Sequence, residues 1–268
     1  MAAIVTGGGS GIGFEIAKIL YLEEGQDLIL VGRNEDRLMR AKKRLETESK
    51  RKSSGKAEPI IQTYAMDVSS LSACREFHSW IESHGIAADY LVNAAGFGTI
   101  GPFLQTDLDR EARETDTNCR GLLQMTKLFL PDLMRVHGCL LNVASSAGYM
   151  PGSPGMAVYY ATKAYVLSLT RSISAERDVR RSKVLVSALC PGPVSTEFSE
   201  KAGGSATSGL AMISPQTCAR AAVCGMKKGK HLIIPGGLMK CTYPLAKLLP
   251  ASWLLFFAGK HQDQKLKS

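Results

Sequence analysis

Short apolar, β-rich runs recur along this chain at residues 2–5, 28–31, 60–64, 90–92, 140–143, 184–189 and 232–234, and the stretches between them carry helical spacing. Such alternation leaves few folds open. A strand that returns parallel to its predecessor needs a crossover, the crossover is right-handed, and helices used this way cover both faces of one sheet. The expected fold is therefore α/β, a single-domain doubly wound parallel sheet of Rossmann-like type with helices on both faces. Ligands on these sheets bind beyond the carboxyl ends of the strands, so the residues that follow each run bear most on function.

The first run, Ala2-Ala-Ile-Val5, is followed by Thr6-Gly-Gly-Gly-Ser-Gly-Ile-Gly13 and then by Ile12, Ile16, Ile19 and Leu20 at helical spacing. Strand, glycine turn and helix in this order bring backbone N–H groups and a positive dipole end toward a phosphate. The spacing G-x-x-x-G-x-G departs from the G-x-G-x-x-G fingerprint, and a glycine-rich turn also suits a plain connection. A second piece, Tyr159-Tyr-Ala-Thr-Lys163, places a phenol and an ammonium four residues apart, on one helix face. A neighbouring cation is expected to lower a phenol's pKa toward the range useful for proton transfer. The chain holds a second such pair, Tyr243 and Lys247, but only Tyr159 has a strand ending in serines upstream, at Ser145 and Ser146. Tyr160, whose fourth residue onward is Ala164, has no such partner.

Taken in order, residues 6–13, Asp67-Val68, Asn93-Ala94-Ala95-Gly96, Asn118, Ser145, Tyr159 with Lys163, and Pro191-Gly192-Pro-Val194-Ser-Thr196 resemble the short-chain dehydrogenase/reductase family in its shorter-chained branch. The likeness covers roughly residues 2–235. It implies that Tyr159 is the general acid/base, that Ser145 holds the substrate oxygen, that Lys163 lowers the Tyr159 pKa and binds the nicotinamide ribose, and that Asn118 holds a water in a proton relay. Ser145 is preferred to Ser146 because it stands two places before Ala147-Gly148. The same resemblance implies cofactor contacts from Thr6, Gly7, Ser10, Gly11, Ile12, Gly13, Asp67, Val68, Asn93, Ala94, Ala95, Gly96, Pro191, Gly192, Val194 and Thr196, besides Tyr159 and Lys163, and a homo-oligomer, dimer or tetramer.

Cofactor preference is argued from one position. An acid about 20 residues past the glycine turn would bind a ribose hydroxyl, whereas an Arg accommodates a 2′-phosphate. Here the second run is followed by Gly32-Arg33-Asn34. A planar, permanently charged guanidinium suits a phosphate, so NADP(H) is favoured over NAD(H).

Size and composition agree with one large domain: 268 residues, 45% hydrophobic and 21% charged. Seven cysteines without a C-x-x-C fit reduced thiols, and five histidines show no ligand spacing, so no metal is expected. A nucleotide strand that begins beside Met1 leaves no room for a secretory signal, and a cytoplasmic location is expected. Of the net charge of +9, residues 33–56 supply six, from ten Lys/Arg against four Asp/Glu. That segment keeps Leu38, Ala41 and Leu45 on one face and is expected to be a solvated helix. No motif for nucleic acid accompanies it.

Residues 1–237 are expected to form the catalytic domain, with a Gly/Ser-rich substrate lid at 194–213, and residues 238–268 a hydrophobic extension packing on the domain or at an interface. Pro244, Pro250, Lys240 and Lys247 interrupt the extension too often for a spanning helix. Peripheral membrane contact through 238–258, with Trp253, Phe256 and Phe257 as anchors, is a second expectation. The resulting expectation is an NADP(H)-dependent oxidoreductase interconverting a ketone and a secondary alcohol on a hydrophobic, steroid-, lipid- or acyl-like substrate. A 3-oxoacyl thioester reductase and a catalytically silent NADP-binding sensor are the alternatives.

Overall fold

A computed structural model describes residues 1–50, 59–198, 202–203 and 212–256. Seven parallel strands form one sheet: β1 (Ala2–Thr6), β2 (Asp27–Gly32), β3 (Ile61–Ala65), β4 (Ala88–Asn93), β5 (Cys139–Val143), β6 (Leu185–Leu189) and β7 (Leu232–Ile233). The spatial order is β3-β2-β1-β4-β5-β6-β7. Each apolar run of the sequence falls on a strand, with one-residue overruns at Ile60, Val184 and Ile234.

Both faces are covered, so the strands are apolar on both sides and sort their residues by parity. Ala3 and Val5 of β1 and Leu28 and Leu30 of β2 join one core. Helices α1 (Gly11–Leu22) and α2 (Glu35–Lys50) face them, together with a later helix, Pro215–Lys227. Ala2, Ile4, Ile29 and Val31 point the other way, into a core with α3 (Leu71–Ser83) and α5 (Leu122–Arg135). Between α3 and α5 come α4 (Leu108–Thr115) and a π-helical turn, Asp116–Gly121. A 3₁₀ turn (Ser146–Gly148), α6 (Ala157–Ala175), α7 (Arg177–Arg181), α8 (the Pro215–Lys227 helix) and α9 (Gly237–Leu248) complete the described elements.

Chain direction across the sheet reverses between β1 and β4, where Thr6 pairs with Asn93. This switch point opens a crevice at the carboxyl edge and brings the glycine turn beside residues 93–96. The basic segment is helical over α2 with Leu38, Ala41 and Leu45 buried, and its remainder at 51–58 lies outside the described residues.

The extension runs as α9, with Pro244 inside it, then a helical stretch at 251–256. Phe257 and the residues after it lie outside the described residues. Tyr149 and Thr242 share a hydroxyl hydrogen bond of 2.7 Å, and Arg171 of α6 donates to the Tyr243 hydroxyl at 2.7 Å. Among the described residues, no helix is long and apolar enough to cross a membrane.

Candidate active site

The glycine turn is folded against the loop after β4. Gly7 has φ +67°, and a Cβ there would stand 2.8 Å from the Ala94 carbonyl oxygen and the Ala95 nitrogen. A Cβ on Gly13 would stand 2.6 Å from the Gly7 carbonyl oxygen. On the other side the turn is open: at Gly11, φ +58°, the nearest atom to a built Cβ is the Thr196 methyl, 3.9 Å away. Ser10 precedes α1 with an extended backbone and no capping bond, and the first turn of α1 holds no acid. A helix start with a free hydroxyl, unpaired N–H groups and open space suits a pyrophosphate, so the residues present fit a dinucleotide.

Several expected contacts take other work in this geometry. Thr6 is buried, donates to the Val92 carbonyl at 3.4 Å and accepts from Ala94 and Ala95 N–H at 3.1 and 3.2 Å, stitching β1 to β4. Asn93 is also buried and donates to Thr126 Oγ1 and Asn142 Oδ1. Val68 is buried, and its carbonyl accepts from Gln124 at 2.9 Å. These three shape the crevice from behind. Gly96 faces it closely, since a Cβ there would lie 2.8 Å from Asn118 Oδ1 and 3.5 Å from Lys163 Nζ. Ile12, partly buried, packs on the core. After β6, the Pro191 carbonyl accepts from Ser146 N–H at 2.8 Å, and Gly192 lies against Met239 of α9. Val194 bridges to Ile213, so the two ends of the expected lid are pinned together; most of the residues between lie outside the described set.

At the outer end of the crevice, Arg33 follows β2 and Asp67 follows β3, with their charged groups 3.8 Å apart. Both are largely solvent-exposed, at 55% and 40%, so the pair is worth under about 1 kcal/mol and does not lock either side chain. A second guanidinium escaped the sequence reading. The Arg37 side chain lies against the glycine turn, its Cγ 3.1 Å from a Cβ built on Gly9. The signal available was its place in the first turn of the helix that follows Arg33.

Ser145, buried, ends the segment after β5, and its Oγ accepts from Ala147 N–H at 3.2 Å. Its hydroxyl also acts on the Tyr159 hydroxyl, drawing the phenol's pKa down. Tyr159 lies in the first turn of α6, and Lys163 follows on the same face, buried, donating to the Val143 carbonyl at 2.9 Å. Its ammonium is 5.8 Å from the centre of the Tyr159 ring.

The expected acidification of Tyr159 is reversed here. Burial pushes the phenol up to about 12, opposed in part by the Ser145 hydroxyl. Burial likewise brings Lys163 down to about 8. Lys163 gives the phenol no help in that range, because with its own value below that of Tyr159 it has lost its charge before the phenol ionises. The second pair behaves in the opposite way: Lys247 lies 4.9 Å from the Tyr243 ring centre and, with Arg171, lowers that partly exposed phenol's pKa.

Asn118 lies in the π-helical turn and grips the loop after β4. Its Oδ1 accepts from Phe97 N–H at 3.1 Å, and its Nδ2 donates to the Phe97 carbonyl at 2.8 Å and to Thr162 Oγ1 at 3.1 Å. Phe198 packs on Tyr159, ring centres 5.2 Å apart, and a Cβ on Gly98 would meet both rings. Phe97, Phe198 and Arg37 carried no motif, and Thr162 lay inside the Tyr159–Lys163 piece with no role assigned to it.

A parallel sheet with a glycine turn at its switch point and a Ser-Tyr-Lys cluster two strands away defines a nucleotide-dependent oxidoreductase. The sequence model of the short chain dehydrogenase family matches residues 1–205. The chain belongs to the short-chain dehydrogenase/reductase family and is an oxidoreductase acting on CH–OH and C=O groups. It is 32% identical over 199 residues to an uncharacterized oxidoreductase of Staphylococcus epidermidis, covering 74% of this chain and 80% of that one. A Staphylococcus aureus counterpart, also an uncharacterized oxidoreductase, is 28% identical over 231 residues, with 86% and 92% covered. In fold it is similar to a short-chain dehydrogenase from Sphingobium yanoikuyae in complex with NADPH, with TM-score 0.77, 24% identity, and 93% and 96% of the chains covered. It is also similar to a Burkholderia phymatum family member in complex with NAD, with TM-score 0.75, 22% identity, and 91% and 92% covered.

Proposed function

We propose that this chain is an NADP(H)-dependent oxidoreductase that interconverts a ketone and a secondary alcohol on a hydrophobic substrate. The observation that carries this reading is the convergence of Ser145, Tyr159 and Lys163 on one side of the crevice whose other side is the open glycine turn. The bound cofactor supplies the hydride. Residues 7–13, Ser10 in particular, would hold its pyrophosphate; Asp67, Gly96, Lys163, Pro191, Gly192 and Thr196 line its path; Arg33 and Arg37 would take its 2′-phosphate.

Tyr159 gives its hydroxyl proton to the substrate oxygen on reduction and takes one back on oxidation. With its pKa pushed up by burial, it rests protonated near neutrality, as a donor must. Ser145 Oγ shares the oxygen and stabilises the negative charge that develops there. Lys163, as an ammonium, steadies the phenolate left behind. Asn118 orients the loop at Phe97 that closes this side of the site. A catalytically silent binder would have no use for a buried cation beside a half-buried phenol.

A hydrophobic substrate is supported by an open cavity of about 400 Å³ beside α6, lined by Met150, Pro151, Pro154, Tyr160, Ala164 and Leu255. Phe97 and Phe198 add apolar surface at the reacting end. Phe198, within the expected lid segment, packs on Tyr159 and supports the reading of that segment as a cover for the reacting end, and the exposed Leu123 of α5 and Tyr165 of α6 mark a face for a second copy. Exposed Trp253 and Phe256 are anchors for a membrane surface.

The test is a panel of ketones and alcohols with NADPH and NADH side by side. NADPH-dependent reduction of apolar ketones is expected, and Tyr159→Phe should lower turnover at least about a hundredfold. A Tyr159→Phe protein that folds and retains wild-type turnover refutes the mechanism.

A further inference from the structure

Glu114, on α4, is the acid of this site that no step above uses. Its side chain has no solvent exposure, and among the described residues neither carboxyl oxygen has a hydrogen-bond partner. An orphaned buried carboxyl is rare and calls for a cause. Helix α4 packs against α6, which carries Tyr159 and Lys163. The groups coupled to the carboxyl through charge or polarity are Thr99 after β4, Arg110 and Glu111 on α4, Cys119 in the π-helical turn, and Lys163 and Tyr159 on α6. Arg110 is engaged elsewhere, donating to Thr99 Oγ1 at 3.3 Å and to the Gly98 carbonyl at 3.4 Å.

We propose that Glu114 is a positioning residue whose ionisation holds Lys163 in its charged form, and so sets the upper pH limit of proton transfer at Tyr159. The proposal rests on the functional reading above. Burial pushes the Glu114 carboxyl up to about 7, with Thr99, beyond hydrogen-bond geometry, drawing it part of the way back. Lys163 feels burial first, then Cys119, Glu114 and Cys190 acting to keep it charged. The two thiols are raised to about 11 and about 12 and are neutral in the working range. Glu114 alone of these can present a negative charge. Its ionisation falls in the same range as loss of the Lys163 proton, so the carboxylate is present where the buried ammonium needs an opposing charge.

The decisive experiment follows the Lys163 titration by NMR in ¹³Cε-lysine protein, with Lys163→Met used to assign the resonance, in wild type and in Glu114→Gln and Glu114→Asp. The Lys163 midpoint should fall by about one pH unit in Glu114→Gln and return most of the way in Glu114→Asp. The alkaline limb of turnover should move with it. An unchanged Lys163 midpoint in a folded Glu114→Gln protein overturns the proposal. This readout needs no turnover, so a wild-type protein inactive on every carbonyl would refute the functional reading while the NMR result still decides the role of Glu114.

A melting comparison separates this from simple packing. A carboxyl raised from its unfolded value of 4.5 to about 7 binds its proton more tightly in the native state, so native stability falls as pH rises between those values and stays lower above. Glu114→Gln removes that loss. Its Tm should exceed wild type by roughly 5 °C at pH 8 and converge with it near pH 4.5. A Tm difference that does not change with pH counts against the proposal.

Discussion

Arg33, just before α2, and Arg37, in its first turn, stand at the outer end of the crevice, and the proposed preference for NADP(H) hangs on them. The Arg33 contact with Asp67 is long and exposed, so turning away from it toward a phosphate costs little. A charge-assisted, forked contact with a phosphate contributes roughly 1.5–3 kcal/mol. Arg33→Ala should therefore raise KM for NADPH about tenfold or more and leave KM for NADH nearly unchanged, as read by steady-state kinetics with both cofactors. The Tyr159 and Tyr243 pairs show what residue spacing can and cannot say. Both place a lysine four residues past a phenol, and the pair without a serine partner has the shorter approach, 4.9 Å against 5.8 Å. Acidity follows burial instead, and burial of a given side chain is a property of packing that no four-residue spacing carries.

Element by element, the sheet was legible because its signal is local: each β-rich run is bounded by turn residues, and the helix of the basic segment kept its apolar face. The π-helical turn at Asp116–Gly121 was not. Six residues with a wider turn look like ordinary helix in composition, and the departure serves a tertiary purpose, aiming Asn118 at both backbone groups of Phe97 and at Thr162. Asn118 stood out in the sequence only through its family pattern, and Thr162 not at all. Replacing the amide strands the buried Phe97 groups, at about 1–3 kcal/mol for each group left unpaired. Asn118→Ala should lower Tm by several degrees in thermal denaturation. It should also reduce turnover, because the loop it releases lines the reacting end.

At the scale of the whole molecule, the extension beyond β7 decides whether this is a self-contained domain or one with a surface to cover. Met239, largely buried, fills the space over Gly192, where a Cβ would meet its side chain at 2.7 Å. Two hydrogen bonds, Tyr149 with Thr242 and Arg171 with Tyr243, fasten the same helix to the domain. Beyond that anchor, Leu238, Leu245, Leu248, Trp253 and Phe256 remain exposed on a stretch that carries Lys240 and Lys247 and no acid. Burial of one such side chain contributes about 1.5–3 kcal/mol and each hydrogen bond about 1 kcal/mol. Removal of residues 238–268 should accordingly lower Tm by roughly 5–10 °C and open the site at Gly192. If the outward side chains also dock on lipid, the full chain should float with anionic vesicles in a salt-sensitive manner and the truncated chain should not. Equal recovery of both forms from the vesicle fraction would assign the extension to packing alone, whereas a melting temperature unchanged by truncation would show that the inner contacts of α9 contribute nothing to the fold.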